Sequence, residues 1–266
     1  MVMLAGIDLA WKSTRNPTAI AFGELEGSAL KLTKIKERIF SPQSVLAELQ
    51  SVQSLQGIAI DGPLIINNET GQRACERSLS REYGSRHASC HASNLTLYPN
   101  ADGVRIAAEL EQHGFRHLGQ QVDKWQLECY PHPALIEIFQ LPERLKYKKG
   151  RVAAKRKGQQ RLAELLLGLK ETGPIRFSIP NQFRHFFDPE HIAILRGRAL
   201  KHNEDVLDAA VCLYIAALYQ SGHLQKIFGD IEDGYVVAYL SQIHHIGLLD
   251  KRRHLFFLLL FSFAIS

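Results

Sequence analysis

Two short apolar runs that stop on an aspartate constrain this chain more than any other feature. Met3-Leu4-Ala5-Gly6-Ile7 ends at Asp8, and Gly57-Ile58-Ala59-Ile60 ends at Asp61. Both read as buried strands, the second closed by Gly62-Pro63. A third segment, Trp125-Gln126-Leu127, leads into Glu128, and Asp205 and Asp208 stand three apart in an apolar helical stretch. A sheet fixes the direction of a side chain at a strand end, and residues at i and i+3 share a helix face. Hard cations such as Mg2+ or Mn2+ collect several carboxylate oxygens from separate elements in this way. Without a cation the same grouping is costly, because like charges repel. The spacing therefore predicts an oxygen-ligand metal site in a metal-dependent enzyme. Each acid alone has an ordinary explanation: a turn residue at Asp61, charges favoured by the helix dipole at Asp205 and Asp208, an edge-strand acid at Glu128. Their joint order carries the reading.

The rest of the chain reads as an α/β sequence. Strands are expected over 3–9, 18–24 and 30–36, with Gly27-Ser28 in a turn, giving an antiparallel meander. Ser41 is placed to cap a helix over 42–52. Helices are expected over 70–83, 103–113, 134–141, 152–170 and 203–220, and strands over 57–61, 124–130 and 234–240. Residues 174–188 read as a loop. Arg73, Arg77 and Arg81, spaced by four, are expected on one helix face. With no internal repeat or long linker, residues 1–240 read as one domain, followed by a tail over 241–266.

Charge is unevenly spread. The net charge is +5, but residues 146–161 hold eight Lys and Arg and no acid, so the remainder sums to 5 − 8 = −3. A basic segment on a mildly acidic body suits phosphate, and equally suits a solvated face. Cys75, Cys90, Cys129 and Cys212 form no CxxC pair and no secretory leader is recognisable, which points to a reducing, cytoplasmic setting. His87, Cys90 and His91 crowd together but lack a fourth ligand at zinc spacing. The apolar run Leu255 to Ala264 is about half the ~20 residues that a membrane span needs. No transmembrane span is expected; a buried terminal element or a subunit contact in a homo-oligomer is the preferred reading.

Gly6-Ile7-Asp8-Leu9-Ala10-Trp11, Ala59-Ile60-Asp61-Gly62-Pro63-Leu64, Glu128-Cys129-Tyr130-Pro131 and Asp205-Val206-Leu207-Asp208-Ala209 together resemble the DUF429 family. The similarity runs over roughly residues 1–240, through Gly229-Asp230 and Gly234-Tyr235. The resemblance implies a ribonuclease H-like α/β fold: a mixed sheet flanked by helices, its first three strands antiparallel. It also implies nuclease activity, with Mg2+ or Mn2+ held by Asp8 as central ligand, Asp61, Asp208 and Asp205. Glu128 joins these as a candidate catalytic acid, though resolvase-type sites of that superfamily do not need it. Lys12, Arg73, Arg77, Arg81 and Arg86 are the candidates for holding substrate phosphates.

The leading expectation is a metal-dependent nuclease with DNA or RNA as substrate. The alternatives are an ATP-dependent phosphotransferase of the actin and sugar-kinase group and a non-catalytic nucleic-acid-binding protein. The chain is short for the former and lacks a clear second phosphate loop. The latter leaves the carboxylates unexplained.

Overall fold

The chain opens as a meander because three apolar stretches are separated by turn residues. In the computed structural model, which describes residues 1–11, 16–119, 123–223 and 225–240, β1 (Val2–Asp8) runs antiparallel to β2 (Thr18–Glu26), and β2 to β3 (Ala29–Ile39). Gly27 closes the β2–β3 turn with φ of 55°, a left-handed conformation that glycine adopts without strain. Helix α1 (Pro42–Gln50) starts where predicted, with the Ser41 hydroxyl accepting from the Ser44 N–H at 3.1 Å. The chain then returns through β4 (Leu55–Asp61), parallel to β1.

The next elements are α2 (Ala74–Tyr83), α3 (Asp102–Gln112), β5 (Arg116–His117), β6 (Trp125–Cys129), α4 (Pro131–Ile138) and α5 (Val152–Thr172). They are followed by β7 (Arg176–Ser178), α6 (Pro189–Ile194), α7 (Gly197–Gln220), β8 (Gln225–Asp230) and β9 (Gly234–Tyr239). Among the described residues, nine strands form one mixed sheet in the order β7-β3-β2-β1-β4-β6-β9-β8, with β5 beside β6.

Alternation along the strands sends side chains to two faces. Leu4, Ala59, Leu127 and Val237 pack beneath α7 and α5, with Leu162, Leu166 and Leu213. Ala5, Ile7, Ile58 and Ile60 pack on the other face, with Val45 and Leu49 of α1 and Ile106 and Leu110 of α3. Helix α2 places Cys75 and Leu79 against Phe228 and Val236 of the last two strands. Helices therefore flank both faces of the sheet.

The structure corrects several boundaries. The stretch expected to be a loop at 174–188 contains β7, which adds to the edge at β3, and a 3-10 helix over Asn181–Phe187. Strand β8 had no clear signal, because its residues alternate poorly. Helix α4 begins at Pro131 rather than 134: proline is tolerated in a first turn, whose N–H groups lack helical partners. Helix α2 begins at Ala74, which leaves Arg73 outside it in extended backbone. Helix α7 begins at Gly197 rather than 203, so Asp205 and Asp208 lie well inside it, and the dipole explanation for them falls away. Among the described residues no helix is long and apolar enough to cross a membrane. The tail over 241–266 lies outside the described residues.

Candidate active site

Gly6 decides how closely the sheet and α7 approach. A Cβ added there would lie 1.9 Å from Leu213 N and 2.4 Å from Ala209 O, so only glycine lets the helix backbone rest on β1. The helix runs against the strand direction. As β1 advances from Gly6 to Asp8, α7 recedes from Leu213 past Ala209 to Asp208 and Asp205. The result sets a helix carboxylate pair over the end of β1. Asp8 and Asp61 are register partners on the adjacent parallel strands β1 and β4, so their side chains leave the sheet on that same face.

Four predicted carboxylates thus come together. Asp208 is fully buried and Asp205 nearly so, at 0% and 3% exposure. The Asp205 carboxyl is within hydrogen-bonding reach of Asp8, and one of its oxygens, Oδ2, is buried without a hydrogen-bond partner. Burial and the facing Asp8 carboxylate push Asp205 well above the usual carboxylate range, against the pull of Lys201. Burial also raises Asp61 and Asp208; the Lys148 ammonium pulls both back, and Asp8 raises them again.

Four residues at this centre, Tyr147, Lys148, Lys201 and Glu204, were not singled out from sequence. Lys148 Nζ lies 2.8 Å from Asp208 Oδ2 and 3.5 Å from Asp61 Oδ2. Tyr147, fully buried, donates from its hydroxyl to Asp208 Oδ1 at 2.5 Å. Lys201 Nζ lies 2.6 Å from Asp205 Oδ1 and 2.8 Å from Glu204 Oε1. Burial opposes the charge on Lys148, but Asp208, Tyr147 and Asp61 outweigh it and hold the ammonium well above its usual value. The loop that carries Tyr147 and Lys148 is pinned at Gly158 of α5, where a Cβ would meet Lys146 O at 2.1 Å. Lys201 was legible in principle, since it stands four residues before Asp205 on one helix. Lys148 carried a weaker signal, as one cation in a basic run that equally suits a solvated face.

Glu128 is not brought to this group. Its register partner on β4 is Ile60, whereas Asp61 pairs with Cys129. Strand alternation therefore turns Glu128 to the opposite face of the sheet. There both oxygens are engaged: Arg73 Nη2 donates to Oε1 at 2.5 Å, and Arg73 Nη1 and the Leu64 N–H donate to Oε2 at 2.9 and 3.0 Å. Arg73 is 3% exposed and also donates to Glu76 Oε1 at 2.9 Å, so it does not share an outward face with Arg77 and Arg81. Arg77 and Arg81 are exposed, the former donating to Gln72 O. Arg86 donates to Glu137 Oε1 at 2.9 Å and to Leu141 O at 3.3 Å. Lys12 lies outside the described residues. The crowded His87, Cys90 and His91 do not assemble: His87 faces Glu143 at 3.5 Å and His91 lies 3.5 Å from Lys149 Nζ. All four cysteines are free thiols.

Among the described residues, no three His, Cys, Asp or Glu side chains close to the spacing of a finished metal site. At the centre, Lys148 bridges Asp61 and Asp208, and Lys201 bridges Asp205 and Glu204. Even so, the donor set fits a hard cation: it consists of oxygens, one of them buried and unpartnered, and acids outnumber ammonium groups. Asp8, Asp61, Asp205, Asp208 and Glu204 against Lys148 and Lys201 give −5 + 2 = −3 when all are ionised.

Fold and site together define an α/β protein with a buried polyanionic centre at the ends of two adjacent parallel strands. A family model described as "Protein of unknown function (DUF429)" matches residues 6–233, and the chain belongs to that family. Comparison with curated proteins gives no match, and neither does comparison with solved structures.

Proposed function

We propose that this protein is a metal-dependent nuclease on a ribonuclease H-like sheet, hydrolysing phosphodiester bonds of DNA or RNA. The observation that carries the reading is the convergence of Asp8 and Asp61, in register on β1 and β4, with Asp205 and Asp208 of α7. The strand order β3-β2-β1-β4-β6, antiparallel then parallel, supports the fold assignment. Asp8, Asp61, Asp205 and Asp208 are the residues that would hold Mg2+ or Mn2+. Bound there, such an ion supplies an activated water and neutralises charge on the phosphoryl oxygens.

The chain's own residues do the remaining work. Tyr147 fixes Asp208 by donating to Oδ1, which leaves Oδ2 directed at the centre. The Lys148 side chain, 25% exposed with its ammonium on Asp208 and Asp61, is the cation that an incoming phosphate would meet at this centre. A positive charge preorganised there stabilises negative charge that develops on the scissile group. Glu128 has no part in this chemistry; with Arg73 it holds the loop after β4 through the Leu64 N–H and Ile65 O.

The test is cleavage of labelled single- and double-stranded DNA and RNA by purified protein with Mg2+ or Mn2+. Asp8→Asn is expected to lower the rate at least about a hundredfold while the protein stays folded. A folded Asp8→Asn protein with the wild-type rate, or no cleavage of any substrate by the wild type, sinks the proposal. ATP-dependent thermal stabilisation without cleavage would point to a phosphotransferase instead.

A further inference from the structure

A cleft of about 690 Å³ opens beside the carboxylate centre, lined by Arg38, Phe40, Arg198, Lys201, His202 and Asn16 among others. Among the described residues its lining holds three permanent cations and no acid; the neighbouring carboxylates are Glu37, 3.4 Å from the Arg38 guanidinium, and Asp205 and Glu204, 2.6 and 2.8 Å from the Lys201 ammonium. The cleft joins the centre through Lys201, whose ammonium touches Asp205.

Three features mark it as built for a ligand. First, Phe40 is 54% exposed in the wall of a cationic cleft, so much of a large apolar ring is open to a ligand there. Second, Arg38 is held with φ of 61°, outside the usual range for a side chain of its kind. It sits at a bulge: Thr18 and Ile20 of β2 pair with Ile39 and Lys36 of β3, so β3 carries one extra residue there. Bulges re-aim side chains, and strained backbone persists where the surroundings impose it. Third, His202 Nδ1 is buried and without a hydrogen-bond partner.

We infer that this cleft binds single-stranded nucleic acid, with a base stacked on Phe40 and backbone phosphates on Arg38, Arg198 and Lys201. An exposed ring beside cations suits a splayed-out base, which has a free face for stacking; a duplex keeps its bases stacked on each other. Guanidinium groups grip phosphate oxygens in pairs. The strand then runs past Lys201 toward Asp205 and Asp8, a last link that rests on the phosphodiesterase reading. Binding itself does not depend on it.

The experiment is fluorescence anisotropy with a labelled oligothymidylate of about fifteen nucleotides and its RNA counterpart, in EDTA so that no metal-dependent cleavage occurs. Phe40→Ala is expected to weaken binding about tenfold, and Phe40→Trp to retain it. The double variant Arg38→Ala/Arg198→Ala is expected to flatten the slope of log K against log salt by about 1.4, at ~0.7 per lost phosphate contact. The inference is overturned if the wild type binds no single strand at low salt. It is equally overturned if the folded variants bind like wild type, or if Phe40→Ala weakens duplex binding as much as single-strand binding. Cleavage by the same variants with Mg2+ separates the two claims. Cleft-dependent binding without wild-type cleavage removes the nuclease reading and keeps this one; cleavage with variant-insensitive binding does the reverse.

Discussion

Two groups of buried acids lie at strand ends on opposite faces of one sheet, and they are satisfied very differently. On the α2 side, Glu128 and Glu76 surround Arg73, whose guanidinium donates to both, and Glu128 also takes a backbone N–H. Every carboxylate oxygen there accepts at least one hydrogen bond, and one guanidinium bridges both acids. On the α7 side, Asp8, Asp61, Asp205 and Asp208 share two lysines, and a buried Asp205 oxygen has no hydrogen-bond partner. A completed network stabilises a fold. An uncompleted one is costly to maintain, and such a cost at a cluster of perturbed acids is what motivates the proposed cation site.

The contrast is broken most strongly by removing one partner from the completed side. Arg73→Met leaves Glu128 and Glu76 buried and uncompensated, and is expected to cost about 3–5 kcal/mol in urea unfolding. A loss below about 1 kcal/mol would mean that this network is no more structural than the aspartate centre.

Gly6→Ala tests the helix–strand contact that assembles the aspartate centre. The new Cβ meets helix backbone rather than a flexible side-chain end, so α7 must shift, at an expected cost of roughly 3 kcal/mol. Divalent-ion stabilisation, read as a thermal shift with Mn2+, should be lost with it. Retention of that shift would show that the carboxylates do not depend on the close approach.

The smallest effect sharpens the comparison by pH. Asp61, Asp205 and Asp208 have folded-state values above those of the unfolded chain. Their protonation therefore favours the folded state. This contribution is fully present below about pH 4 and is lost as pH rises through the raised values. Metal-free protein should accordingly lose more stability between about pH 5 and pH 8 than an Asp205→Asn variant does, by about 1 kcal/mol. Parallel curves for the two proteins in urea titrations would remove the asymmetry.

Much of this architecture is legible in the residues themselves. Short apolar runs, the Gly27-Ser28 turn, the Ser41 cap and the Leu162–Leu166 stripe mark the strands and helices through local rules. The stop of β1 at Asp8 and of β4 at Asp61 is equally local, as is the shared face of Asp205 and Asp208. Boundaries failed where tertiary contacts override propensity: β7 forms because β3 offers an edge, and α7 extends back to Gly197 although its apolar pattern starts later.

What the tertiary structure alone decided is which acids face each other. Glu128 and Asp61 look alike in sequence, each following an apolar strand. The β4–β6 register pairs Glu128 with Ile60, and one residue of offset is a full reversal of face in a pleated sheet. Register depends on pairing between segments more than 60 positions apart, which no local pattern encodes. The entry of Lys148 into the aspartate centre and the burial of Arg73 beside Glu128 follow from the same long-range packing. The sequence by itself determined that carboxylates would stand at strand ends and on one late helix face; packing determined which of them converge beneath α7 and which one is locked to Arg73 on the other face.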